Sequence, residues 1–98
     1  MIFYEVTAEV EPELHASFEN YMRGKHIPDV LKTGSFEGSF FESSEAGRYR
    51  IRYRCESREV LEEYIKKHAP LLRADVATTF PTGVELSREV WDVIEAFA

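Results

Sequence analysis

Cysteine is almost missing from this chain of 98 residues, which contains only Cys55. A single thiol cannot form an internal disulfide, so a reducing environment is the simplest one and we expect a cytoplasmic protein. Long apolar runs are missing too, since none approaches the ~20 residues that a membrane-spanning helix needs. The first residues alternate like a strand and lack the basic and apolar regions of a signal peptide. We therefore expect neither membrane insertion nor export.

Positive charge is in short supply, because 12 Lys and Arg stand against 18 Asp and Glu, for a net charge of −6. Binding to nucleic acid or to anionic lipid needs a basic surface, so neither is an expected partner. The sequence also has no Gly-rich phosphate loop, no zinc-type Cys/His cluster and no Gly-x-Ser-x-Gly elbow. We therefore expect neither a cofactor nor a metal.

What the chain does contain is an internal repeat. The segment 18–28, Phe-Glu-Asn-Tyr-Met-Arg-Gly-Lys-His-Ile-Pro, is echoed by 61–70, Leu-Glu-Glu-Tyr-Ile-Lys-Lys-His-Ala-Pro, and Gly24 is the one extra residue of the first copy. Each copy is amphipathic and follows a strand-like segment. Two such units predict one ferredoxin-like domain over residues 1–98, of the α+β class, with βαββαβ order, a four-stranded antiparallel sheet and helices on one face.

Local patterns place the elements of the first unit. Alternation of apolar and polar residues predicts a strand over 2–10. A helix is predicted to begin near Pro12 and to end at Gly24, with Ile27 extended ahead of Pro28.

The second unit is predicted from similar signals. Strands over 36–42 and 48–55 form a hairpin around a turn at 43–47, and Ser57 is a suitable N-cap for the next helix. Pro70 is suited to the first turn of a further helix.

The last segment, 84–97, fits both a helix face and a strand. The repeat requires a fourth strand, so we predict a strand from Val84 to about Asp92 and the strand order 4-1-3-2.

Four arginines occupy alternate positions of the predicted third strand and so share one face: Arg48, Arg50, Arg52 and Arg54. The intervening residues are apolar enough to lie under the helices. Acidic residues on neighbouring strands project from the same side as the arginines and supply opposite charge: Glu5, Glu9 and Glu37. The pattern favours a charge-paired outer sheet face or dimer interface over an anion-binding patch.

Aromatic residues gather on the helix-facing side of the predicted sheet, with a tryptophan nearby if the last segment is a strand: Tyr4, Tyr49, Tyr53, Tyr64 and Trp91. Such a layer is typical either of a plain core or of a small, mostly apolar ligand cleft. We expect Cys55, on the same face, to be a buried thiol without a role in chemistry.

Two histidines, His26 and His68, are the candidates for acid–base chemistry. In the predicted fold their helices end at opposite ends of the sheet, which excludes a shared metal ion. The simplest interpretation is that each caps its helix. His26 is the better functional candidate, because Asp29 lies one turn on and can orient its ring.

Several motifs resemble those of a small bacterial family described as a domain of unknown function: Met-Ile-Phe-Tyr-Glu-Val-Thr at 1–7, His-Ile-Pro-Asp-Val-Leu at 26–31 and His-Ala-Pro-x-Leu-Arg at 68–73. That family is similar to the dimeric α/β-barrel superfamily. The resemblance implies a homodimer whose two sheets pack into a barrel, with a cleft between sheet and helices in each subunit. Relatives include monooxygenases, dehydratases, isomerases and ligand-binding regulators, so the fold selects no activity.

Two functions therefore stay open. The first is a non-enzymatic homodimeric binding or structural module with a small apolar or aromatic ligand. The second is a cofactor-independent enzyme, like a monooxygenase, isomerase or dehydratase, that acts on an aromatic or polyketide-like small molecule, with His26 or a tyrosine as general base. The sequence reveals no pair of coupled titrating groups, which favours the first function.

Overall fold

The computed structural model describes residues 1–45 and 47–98 of the chain. The elements follow in the order β1 (Ile2–Val10), α1 (His15–Tyr21), α2 (Ile27–Lys32), β2 (Gly38–Ser43), β3 (Arg48–Cys55), α3 (Arg58–Lys67), α4 (Ala69–Thr79) and β4 (Val84–Asp92). A 3-10 turn, Pro12–Leu14, precedes α1, and a π-helical turn, Met22–His26, joins α1 to α2. Among the described residues no helix has the length and apolar character needed to cross a bilayer.

The four strands form one antiparallel sheet in the order β2-β3-β1-β4. This order, the β2–β3 hairpin and the βαββαβ fold are as predicted from the sequence. The predicted turn between β2 and β3 includes Ala46, which lies outside the described residues. β2 begins at Gly38 rather than at Phe36, which is buried ahead of the strand.

The ambiguous last segment is a strand over the predicted residues. β4 pairs along its whole length with β1, from Ile2 opposite Asp92 to Val10 opposite Val84. The ladder continues one residue further, because the Val93 N–H donates to the Met1 carbonyl at 2.9 Å. β4 is thus an edge strand held entirely by β1.

The core lies between the helices and one face of the sheet, which we call the inner face. Aromatic rings pack closely there: the ring centroids of Phe18 and Tyr49 lie 5.0 Å apart and those of Phe36 and Tyr64 lie 4.7 Å apart. Cys55 is fully buried there, as predicted. In the part of the chain that the structure describes, the opposite, outer face carries no helix, and most of its charged residues are exposed.

The second unit begins each helix where the sequence predicts. The Ser57 hydroxyl accepts a hydrogen bond from the Val60 N–H at 3.3 Å, which caps α3. Pro70 lies in the first turn of α4, where its missing N–H is tolerated.

The predicted end of the first helix at Gly24 is wrong, as is the extended conformation predicted for Ile27. Ile27 is helical, with φ −63° and ψ −45°, and its N–H donates to the Met22 carbonyl five residues back. A π turn holds one residue more than an α turn, so the chain accommodates Gly24 without leaving the helix. Pro28 lies in the first turn of α2, directly after the π turn. The extra residue of the first repeat copy therefore marks a widened turn.

Two glycines provide a test of this backbone. Gly47 has φ +83°, and a Cβ there would lie 2.6 Å from the Val10 carbonyl oxygen and 2.7 Å from His15 Nε2. We expect Gly47→Ala to lower the free energy of unfolding by at least about 2 kcal/mol. A Cβ at Gly24 meets no atom within 4 Å, so Gly24→Ala should raise it by about 0.5–1 kcal/mol. Urea denaturation measures both changes in the free energy of unfolding. Similar effects of the two substitutions would contradict the backbone conformations described for Gly24 and Gly47.

Candidate functional site

A cleft lies between the inner sheet face and the helical layer. Its apolar lining comes from three strands, the π turn and α4: Val6, Met22, Ile51, Leu72, Val76 and Leu86. The polar lining is Tyr4, His26, Tyr53, Tyr64, Arg73 and Arg88. The enclosed volume is about 30 Å³, enough for about one or two water molecules, and with the open mouth the empty space reaches about 420 Å³. A ring-sized ligand therefore enters only if side chains at the mouth move.

His26 is the last residue of the π turn, and its ring lines the cleft. Its Nδ1 is buried and has no hydrogen-bond partner among the described residues. Burial lowers the pKa of His26 below its usual value of 6.5. The charges around the ring modify this effect in opposite directions: Asp29 and Asp75 raise the pKa, and Arg88 and Lys25 lower it. The ring is therefore neutral at pH 7 and offers one unprotonated nitrogen.

The cleft tyrosines have the opposite character. The Tyr53 hydroxyl is buried without a hydrogen-bond partner among the described residues, and burial raises its pKa far above the ordinary value. Burial also raises the pKa of Tyr64, to about 12. The Tyr4 hydroxyl accepts a hydrogen bond from Arg73 Nη2 at 3.1 Å. At neutral pH, Tyr53 and Tyr64 can donate hydrogen bonds but are poor bases. His26 is therefore the cleft residue that can accept a proton.

Asp29 does not hold the His26 ring, although the spacing suggests that it orients it. Its carboxylate accepts a hydrogen bond from Lys25 Nζ at 2.7 Å, and Lys25 also lies 3.8 Å from Asp75 on α4. The lysine thus links the π turn to the helix that forms the other side of the cleft. Asp29 acts on His26 only through its charge.

Two of the aromatic residues predicted near a cleft lie elsewhere. Trp91 is on the outer face opposite Phe3 and is 56% exposed, because odd-numbered residues of β4 share the face of odd-numbered residues of β1. Tyr49 faces the helices but lies beside α1, where its hydroxyl donates to Glu19 at 2.6 Å. Burial is the main reason that the pKa of Tyr49 is raised to about 12.

The arginine row of β3 (Arg48, Arg50, Arg52 and Arg54) lies on the outer face, and its closest acidic partner is one that the sequence did not suggest. Glu42 on β2 accepts from Arg50 Nε at 3.0 Å and from Arg52 Nε at 2.9 Å. Glu37 lies 4.0 Å from Arg54. Glu5 and Glu9 stand opposite Arg52 and Arg48 in the register, and neither forms an ion pair within 4.0 Å with any residue that the structure describes. The hairpin register, which places Glu42 beside Arg50, was the missing signal.

Sequence reasoning also missed Arg73 and Arg88, both of which line the cleft. Arg88 was detectable, because it interrupts the apolar inner row formed by Val84, Leu86 and Val90. Arg73 reaches the cleft only through the packing of α4 on the sheet, which no local pattern reveals.

The two repeated histidines are placed differently. His68 lies between α3 and α4, with its ring 6.2 Å from the Tyr64 ring, and does not line the cleft. Within residues 1–45 and 47–98, no group of three or more His, Cys, Asp or Glu side chains is arranged to hold a metal ion. The expectations of no metal and no cofactor stay predictions.

Comparison with known proteins supports the fold and the family. A family model described as a domain of unknown function, DUF4286, matches residues 1–94. No curated protein matches the sequence.

Several solved structures share the fold at low identity. A candidate antibiotic biosynthesis monooxygenase from Deinococcus radiodurans has a TM-score of 0.74 at 12% identity, over 100% of this chain and 97% of its own. A variant of MhuD with two manganese protoporphyrin IX per active site has a TM-score of 0.74 at 15% identity, over 100% and 99%. A monooxygenase of Streptomyces coelicolor in complex with nanaomycin D has a TM-score of 0.68 at 12% identity, over 99% and 92%. At these identities the likeness concerns the fold alone.

The lowered pKa of His26 predicts a pH dependence of stability. Because the folded pKa lies below the unfolded value of 6.5, the unfolded chain takes up the proton first. The free energy of unfolding therefore falls as pH drops from about 7 through the folded pKa. We expect His26→Gln to lose less melting temperature than the wild type between about pH 7.5 and about pH 5.5. Leu72→Met disturbs the cleft without removing a titrating group and should keep the wild-type slope. A wild-type slope in His26→Gln would speak against a neutral His26.

Proposed function

We propose that this chain, which belongs to the DUF4286 family, is a cofactor-independent enzyme that removes a proton from an aromatic or polyketide-like small molecule in its cleft. His26 is the general base. The observation that carries the proposal is that a neutral histidine and an unpartnered tyrosine hydroxyl, that of Tyr53, line the same partly apolar cleft. Buried polar atoms without partners are uncommon in proteins and point to a ligand or to water.

The proposed first step assigns one role to each group. His26 accepts a proton from an acidic C–H or O–H of the substrate and becomes imidazolium. The substrate retains the electron pair, and the Tyr53 hydroxyl donates a hydrogen bond to the oxyanion that develops. The divergent pKa values of the two residues suit this division between acceptor and donor. Isomerases, dehydratases and cofactor-free monooxygenases can share such a step, so it fixes the chemistry at the site rather than the final product.

A second candidate is the non-enzymatic binding module. The small enclosed volume, about 30 Å³, favours it, since a tight and largely apolar cavity can bind a ligand without positioning it for reaction. The two candidates differ in one respect only: both bind a ligand in the cleft, and only the enzyme turns it over.

The proposal includes a homodimer formed through the outer sheet face. Exposed aromatic side chains lie there, Phe40 at 51% and Trp91 at 56%. The guanidinium of Arg52 lies between two rings, 4.8 Å from the Phe40 centroid and 5.3 Å from that of Phe3. An exposed face with this many aromatic groups is typical of a protein interface.

The charges of the outer face support the same proposal. Register places Glu5 beside Glu89 and Glu9 beside Glu85, and neighbouring like charges of this kind are destabilising. On the other side of β1, Arg48 has no carboxylate within 4.0 Å among the described residues. A two-fold axis that lays the arginine row of one subunit over these acidic pairs of the other would neutralise both.

The enzymatic proposal is tested with ethyl 2-methylacetoacetate, a small β-keto ester with one acidic C–H. We expect the protein to accelerate deuterium incorporation at that carbon, followed by proton NMR, and His26→Gln to lower the catalysed rate by about 10²-fold or more. Tyr53→Phe should lower it by at least about tenfold.

His68→Gln is the matched control and should keep the wild-type rate. Exchange no faster than in buffer, with the probe bound in the cleft by ligand-observed NMR, would make the protein a binding module. Full activity in His26→Gln would remove His26 from the mechanism.

The dimer is tested at one exposed apolar residue on each side of the molecule. We expect light scattering to give twice the chain mass of 11.4 kDa for the wild type. Trp91→Glu buries an unpaired charge in the proposed interface and should shift the protein to monomer. Leu71→Glu, at a helical position that is 77% exposed, should leave the dimer intact. A monomeric wild type, or dissociation by Leu71→Glu alone, would refute the outer-face interface.

A further inference from the structure

Two arginines at the cleft have no acidic partner. Arg73 lies on α4 and Arg88 on β4, and both line the cleft. Among the described residues, neither has a carboxylate within 4.0 Å, although acidic side chains outnumber Lys and Arg by 18 to 12. Both side chains are exposed, so their guanidinium groups are accessible to an external negative charge at the cleft.

The position of Arg88 is the stronger part of this observation. It faces the inner side of the sheet directly opposite Val6, in a row that also holds Val84, Leu86, Val90 and Asp92. Its charge reaches the chemistry of the cleft, because it lowers the pKa of both His26 and Tyr64.

Arg73 approaches the same space from the helical layer. Its Nη2 donates to the Tyr4 hydroxyl at 3.1 Å, which holds the guanidinium over the polar part of the cleft. One hydrogen bond uses one of five N–H groups, so the others are available to a ligand. The two guanidinium groups thus approach the cleft from opposite layers.

We infer that the cleft takes a small molecule with a carboxylate group, which Arg73 and Arg88 bind while its apolar body lies against Val6, Leu72 and Leu86. This inference rests on the proposed function in one respect, that the cleft is the ligand site, and adds the chemical class of the ligand. The planar guanidinium matches the two oxygens of a carboxylate and binds them in pairs. A phosphate shares the oxyanion chemistry, and the test below separates the two.

The position of Arg88 also has an explanation that involves no ligand. An inward-pointing charge on an edge strand discourages edge-to-edge association, and β4 is an edge strand. In that role any cation serves, so Arg88→Lys would be equivalent to the wild type and ligand affinity would not depend on the residue.

Benzoate and benzamide provide a matched pair of probes, because they share shape and differ in charge. In NMR titrations of the labelled protein, we expect benzoate to bind at least tenfold more tightly than benzamide and to shift the signals of cleft residues. Arg88→Gln, Arg88→Lys and Arg73→Gln should each weaken benzoate binding severalfold and leave benzamide unchanged. Arg58→Gln removes the same charge from an exposed pair with Asp92 and should have no effect.

Three results would overturn the inference. Equal affinity for benzoate and benzamide within the cleft would refute the anion site but not the proposal that the cleft binds a ligand. Displacement of benzoate by inorganic phosphate at an equal or lower concentration would show that the arginines bind phosphate rather than a carboxylate. Failure of both probes to bind, in the wild type and in Leu72→Ala with its wider mouth, would overturn the anion site and the proposed function together.

Discussion

All the helices pack on one face of a four-stranded sheet, and this one-sided arrangement determines where every side chain of the strands goes. Even-numbered residues of β1 and β4 and odd-numbered residues of β3 face the helices, where they form the aromatic core and the cleft. The remaining strand residues face outward and include the arginine row, Phe40 and Trp91. Burial of the inner face drives folding, and the same alternation leaves aromatic residues exposed on the outer face. The proposed ligand cleft and the proposed dimer surface are therefore two consequences of one packing constraint.

The π turn is the feature that distinguishes the two repeat copies. Both end in Lys-His-x-Pro, yet only His26, in the copy that contains Gly24, lines the cleft. The widened turn keeps the helix continuous while it shifts the residues after it relative to an α-helical register. In the second copy the chain breaks between α3 and α4, and His68 lies beside Tyr64 instead. One inserted residue thus accounts for a difference in the placement of two otherwise equivalent histidines.

The sequence predicts those features that depend on local patterns or on the repeat. Alternation identifies the strands, the repeat identifies β4, and Ser57 and Pro70 mark the starts of helices. The errors have a common cause, which is that they depend on the neighbours a residue acquires in space. Gly24 has the local character of a helix end, and only the packed fold makes it part of a continuous helix. The face of Trp91 and the partner of Arg50 depend on strand register, and the convergence of Arg73 on the cleft depends on helix packing.

Nitrogen NMR of the His26 imidazole ring can establish whether this residue is a neutral base in a partly apolar cleft. The ring nitrogens of the labelled, unliganded protein report protonation as the pH is lowered. We expect a neutral ring at pH 7 and a titration midpoint below 6.5, the value expected without burial. A midpoint at or above 6.5 would mean that the ring is solvated or paired with an acid, and it would contradict the assignment of His26 as the buried base.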